Sequence, residues 1–168
     1  MNKSVKRGEK TILALYPNPQ GFGYALMENA ITVKDCQVVT IRPISNTTLL
    51  KRIKEYLEFF KPNLVVLEDY RGKQSRKSKR VQKLIDQISK EAKFKGIDVV
   101  RYSRAQIRFT FKQFNARNKH EISEAIVESI DELKQYLRPK RLFYKSEPYT
   151  MGIFDAVALG VTHYYFTD

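Results

Sequence analysis

A chain of 168 residues suits one domain with a sizeable core. Hydrophobic residues make up 42% of it and aromatics 12%, enough to fold without metal or disulfide staples. Charge is the outlying feature: Lys and Arg number 31 against 18 Asp and Glu, a formal net charge of +13, and a polyanionic partner would relieve that self-repulsion by counterion release.

Cys36 is the single cysteine, which rules out an intrachain disulfide and a zinc site of CxxC type and points to a reducing, cytoplasmic compartment. No apolar run approaches the ~18 residues of a membrane span, so no membrane partner is expected. Residues 1–10 are basic without the apolar centre of a signal peptide and read as a flexible arm, leaving 11–168 as the domain.

In chain order, the apolar run 11–15 reads as a strand that ends in the turn Pro17-Asn18-Pro19-Gln20-Gly21. Segments 23–27 and 31–41 alternate well enough to complete an antiparallel meander of three strands. The period then changes: Leu49, Leu50, Ile53, Tyr56, Leu57 and Phe60 recur at helical spacing, with N-cap candidates at 45–48 and Pro62 as the stop. The continuous apolar run 63–67 predicts a strand covered on both faces, so the chain crosses over onto a mixed sheet.

Residues 71–83 carry seven Lys or Arg in thirteen positions, among them Arg71, Lys73, Arg76, Lys77, Lys79 and Arg80, candidates for phosphate contact. That run grades into a helix on Val81, Leu84, Ile85, Ile88 and Ala92, ended by Gly96. A strand at 97–102 and a helix at 104–111 follow, then an amphipathic helix at 119–136 with Ile122, Ala125, Ile126, Ile130 and Leu133 on one face. The apolar faces of 81–92 and 122–133 are candidate dimer seams. A last helix, 151–166, is apolar almost all round and belongs deep in the domain. Its His163 reads as a satisfied core residue rather than a ligand, and Tyr70, Tyr102, Phe109, Phe111 and Phe114 read mostly as core.

Polar side chains stand at the ends of three apolar elements, where a charge is costly unless paired or metal-bound. Tyr16 ends the first strand, Glu68 and Asp69 end the central one, and Asp155 opens the last helix. Ligands of open α/β sheets gather at such strand ends.

Four segments in order carry a family resemblance over nearly the whole chain: ILALYPNPQGFGYAL at 12–26, PNLVVLE at 62–68, RNKHEI at 117–122 and FDAVAL at 154–159. Together they resemble the RuvC-type Holliday junction resolvases of the RNase H-like superfamily. The resemblance implies an α/β fold with three antiparallel strands followed by β-α crossovers, and helices on both faces of a mixed sheet. It implies a metal-dependent endonuclease of branched DNA, using Mg²⁺ or Mn²⁺ held by carboxylates, and a homodimer. By the same resemblance Glu68 and Asp155 are metal ligands and catalytic residues; Asp69, beside Glu68, is a further candidate ligand on its position alone. Lys119 would be the cation beside the scissile phosphate. Two positions depart from the family pattern. Tyr16 stands where the shared metal-ligand aspartate is expected, and Gly152 stands where a further aspartate is common. A phenol with an ordinary pKa near ~10 is a poor ligand for a hard cation. The alternative reading is a non-catalytic nucleic-acid-binding module, or a subunit of a larger nucleoprotein complex. Asp69 or Glu147 could substitute for the missing carboxylates, though nothing in their spacing requires it.

Overall fold

The structure, a computed structural model, describes residues 10–73, 75–142 and 145–167. The expected N-terminal arm lies, but for Lys10, outside the described residues. Five strands form one sheet: β1 (Ile12–Asn18), β2 (Gly21–Asn29), β3 (Thr32–Thr40), β4 (Leu64–Asp69) and β5 (Asp98–Ser103), in the order β3-β2-β1-β4-β5. The first three pair antiparallel, and β1, β4 and β5 run parallel, as the meander and crossover pattern predicts.

β1 runs farther than its apolar run suggested. It continues through Tyr16, Pro17 and Asn18, all paired with β2. The turn proper is tighter, and the Asn18 side-chain carbonyl accepts the Gln20 and Gly21 amides, a local bond that closes the hairpin.

Helices cover both faces. α1 (Asn46–Phe60) and α2 (Lys79–Phe94) bury Leu49, Ile53, Leu57, Val81, Leu84, Ile85 and Ile88 against Leu13, Leu15, Val65 and Leu67. The opposite face takes α3 (Arg104–Lys112), α4 (Lys119–Ser129) and α5 (Met151–Thr167), packed on Ile12, Ala14, Tyr16 and Val66. The period-two alternation of β1 and β4 therefore directs Tyr16 toward α5, and each aliphatic side chain in these cores contributes about 1.5–3 kcal/mol by leaving water. The caps agree with the residue types: Ser45, Ser78, Ser103 and Asn118 each accept an amide of the first turn. Gly96, with φ of +77°, supplies the left-handed turn after α2.

Two expectations change. The helix at 119–136 is two pieces, α4 and a 3-10 segment (Asp131–Tyr136), because Ile130 leaves helical geometry at φ −128°, ψ 83°. The break keeps Ile126, Ile130 and Leu133 all in the core, and the i, i+3 spacing of a 3-10 turn serves that face as well as an α-helix does. The proposed dimer seams at 81–92 and 122–133 are also spent. Their apolar side chains belong to the two cores, all of them buried except Ala125 and Val127, which are half-buried.

α5 packs on β1 and β2 with ten buried residues. A close backbone approach sets its depth: a Cβ on Gly23 would run into the Gly152 carbonyl. A Cβ on Gly152 itself would meet Val38 and Asn18 side chains at 3.4 and 3.5 Å, ordinary contact.

Candidate nucleic-acid interface

β1 and β4 run level, with Ile12 opposite Leu64 and Ala14 opposite Val66. Continuing that register by two residues sets Tyr16 level with Glu68. α5 delivers Asp155 to the same end of the sheet, and the start of α4 delivers Lys119. The structure thus brings Tyr16, Glu68, Lys119 and Asp155 to one place.

What joins them is a set of cations. The Arg104 guanidinium donates to the Tyr16 hydroxyl at 2.9 Å and to Glu68 Oε1 at 3.0 Å. Its pair with Glu68 is nearly dry, the side chains being 11% and 2% exposed. Ser75 Oγ donates to the other Glu68 oxygen at 3.4 Å. Lys119 Nζ stands 3.4 Å from Asp155 and 3.2 Å from Glu147. Lys77 Nζ lies 3.5 Å above the centre of the Tyr16 ring and donates to the Pro17 carbonyl at 3.0 Å. Lys119 and Arg104 approach the same ring to 5.4 and 5.8 Å, a cation–π arrangement on one phenol.

Burial sets the proton positions. It pushes the Tyr16 phenol well above its ordinary value, aided by the Asp155 carboxylate, so the phenol keeps its proton at neutral pH. It likewise pushes the Asp155 carboxyl up, against the opposing pull of Lys119. Burial alone would lower the Lys119 ammonium, but the Asp155 and Glu147 carboxylates outweigh it and hold Lys119 charged. Lys77 is pushed down to about 8 by burial, which outweighs the pull of the Glu68 and Asp155 carboxylates.

These residues floor an open cleft of about 1100 Å³. Among the described residues, its floor and walls together carry ten Lys or Arg side chains, including Lys73, Arg76, Arg108, Arg117, Arg138 and Arg141, against the carboxylates of Glu68 and Glu147 alone. Asp155 lies beneath, under Lys119, and is not part of the lining. A groove of that charge suits a polyphosphate backbone.

The basic run divides in the structure. Arg71, Lys73, Arg76 and Lys79 are exposed. Lys77 and Arg80 turn inward, and Arg80 donates to Asn46 Oδ1 and the Asn18 carbonyl at 2.8 and 2.9 Å, fastening α2 to the β1–β2 hairpin and to α1. Asp69 accepts the Arg71 amide in a local turn and does not line the cleft. His163 meets the Tyr102 hydroxyl at 2.9 Å, a satisfied contact. Tyr102 and Phe111 are core, Tyr70 is half-buried, and Phe109 and Phe114 are exposed.

Arg104 is the residue that sequence reasoning missed. It opens α3 behind the capping box of Ser103 and Gln106, and nothing in its spacing separates it from the other Lys and Arg. A pair of divalent cations does not fit the residues present. Such ions need several converging oxygen anions. Here one carboxylate is held by Arg104, the second lies under Lys119, and the third position is a protonated phenol. Among the described residues, no three His, Cys, Asp or Glu side chains converge as a metal site.

No family model matches the chain. No curated protein matches it by sequence. Solved structures do match. Thermus thermophilus RuvC aligns at 19% identity over 93% of this chain and 94% of its own, with a TM-score of 0.66. The same protein in complex with a Holliday junction substrate aligns at 19% identity over 94% of both chains, TM-score 0.65. A Fowlpox virus resolvase, solved with Holliday junction DNA, aligns at 15% identity over 92% of this chain and 99% of its own, TM-score 0.52. The sheet order, the crossovers and these alignments give this chain a RuvC-like, RNase H-like fold.

Proposed function

We propose that this chain grips branched DNA in its basic cleft and does not cut it. One observation carries the reading: Arg104 and Lys119 hold Glu68 and Asp155 in ion pairs around a protonated Tyr16, where a nuclease of this fold would need free carboxylates. The phenol is no substitute nucleophile, since burial holds its proton on. Branched DNA is the favoured partner because RuvC and the Fowlpox virus resolvase, which share the fold, were solved with Holliday junctions. The charged walls supply the phosphate attraction.

The experiment incubates the protein with a synthetic four-way junction in Mg²⁺ and in Mn²⁺, reading retardation and strand nicking on separate gels. Retardation that weakens steeply with salt, without nicking, is the expected result. Nicking that disappears in Glu68→Gln would overturn the reading and restore a metal-dependent nuclease.

A further inference from the structure

The three cations at the floor of the cleft do more than neutralise Glu68 and Asp155. We propose that Arg104, Lys119 and Lys77 stand in for the metal ions of the fold, forming a built-in platform that takes a DNA phosphodiester directly, without any divalent ion. This rests on the reading of the cleft as a DNA-binding site and identifies the groups that hold the strand at its centre.

Placement supports it first. The three side chains come from three separate elements, the loop before α2 and the first residues of α3 and α4. All three converge on one ring, at 3.5 to 5.8 Å from its centre. They lie between the cleft and the buried end of the sheet, and all three line the cleft while Asp155 does not. A phosphate entering the cleft therefore meets ammonium and guanidinium groups before it meets the Asp155 carboxylate.

Chemistry supports it next. In a two-metal site the ions offset carboxylate charge and leave coordination positions for phosphate oxygens. Here the guanidinium contact to Tyr16 and Glu68 uses one terminal nitrogen, and Arg has donors on all three of its nitrogens in a fixed fork suited to phosphate. Lys119, already shared between Asp155 and Glu147, has three ammonium protons. Side-chain cations have no exchangeable water to activate as a nucleophile. They bind a phosphodiester as a metal pair does, without attacking it.

The test measures junction affinity against salt for the wild type, Arg104→Gln and Glu68→Gln, together with calorimetric titration of Mn²⁺ into the wild-type protein. Arg104→Gln is expected to weaken binding about tenfold and to flatten the salt slope by about one counterion. Glu68→Gln removes the competing anion, frees the guanidinium and is expected to tighten binding. Mn²⁺ is expected to show no saturable site. Stoichiometric Mn²⁺ binding would overturn the inference. So would a Glu68→Gln variant that binds no tighter, or an Arg104→Gln variant that is folded by circular dichroism yet binds as the wild type does. If Arg104→Gln does not fold, Glu68→Gln and the Mn²⁺ titration decide. Failure of the broader reading looks different: the wild type then binds no junction at any salt, or nicks it.

Discussion

Two clusters, each of a phenol, a carboxylate and a guanidinium, lie on opposite sides of the β4–β5 pair. The inner one joins Tyr16, Glu68 and Arg104. The outer one joins Tyr70, Asp86 and Arg101: Tyr70 donates to Asp86 at 2.7 Å and Arg101 donates to it at 2.9 Å. Arg101 also bonds Ser89 at 2.8 Å and stands 5.6 Å from the Tyr70 ring. The groups match, but burial does not. The outer carboxylate and guanidinium are 46% and 23% exposed, so water shares their charge. The inner pair is almost dry and faces the cleft. A phenol, a carboxylate and a guanidinium thus fasten α2 to β5 in one place and shape a binding floor in the other, and solvent access is what separates the two roles.

Removing the arginine from each cluster should show the largest contrast. Arg104→Met leaves Glu68 buried and unpaired, and about 3–5 kcal/mol of stability is expected to be lost. Arg101→Met leaves a carboxylate that water can reach, with about 1 kcal/mol lost. Equal losses in urea unfolding would break the comparison. Replacing Arg104 and Glu68 together by Met should recover most of the inner loss, since no orphaned charge then remains.

The hydroxyls give a smaller contrast. Tyr16→Phe removes an acceptor from the buried guanidinium, and about 1 kcal/mol is expected to go with it. Tyr70→Phe should lose less, because water can replace its bond to Asp86. Thermal unfolding of the two variants side by side orders them.

The remaining contrast is in pH. Burial would raise the Asp86 carboxyl, but the bonds from Tyr70 and Arg101 prevail and hold it below its ordinary value of 3.8. A depressed carboxyl adds stability above its unfolded pKa, and that contribution fades as pH falls through the lower folded value. Lys77 has the opposite sign. Its folded value of about 8 lies below its ordinary 10.5, so the folded state disfavours its charge. That cost is full below about pH 8 and is relieved as pH rises toward 10.5. Unfolding free energy measured against pH should fall less steeply toward acid in Asp86→Asn than in the wild type. Between about pH 8 and 10.5 it should gain less with rising pH in Lys77→Met than in the wild type.

Much of the fold was legible in residue patterns. The apolar run before Glu68 marked a strand covered on both faces, and the helical repeat at 49–60 with Pro62 behind it marked α1. The all-round apolar 151–166 marked the helix that lies deepest. Tyr16, Glu68, Lys119 and Asp155 could be named together because each ends or opens an apolar element and lies in a segment that resembles one family. Arg104 could not, because a guanidinium at the start of a short helix looks the same whether it faces water or a buried carboxylate. The break at Ile130 was hidden for a related reason: an i, i+3 apolar spacing suits an α-helix and a 3-10 turn alike.

Local chemistry in the chain determined the strand alternation, the serine and asparagine caps and the excess of positive charge, because each depends on neighbours a few residues away. Only the tertiary structure decided how that charge is divided. Arg80 and Lys77 are drawn inward to cap the end of β1, Arg76 and Lys73 are left for solvent, and Arg104 reaches across to Glu68 from 36 positions away. An ion pair forms where folding removes water and brings opposite charges within reach, and sequence spacing records neither distance nor water.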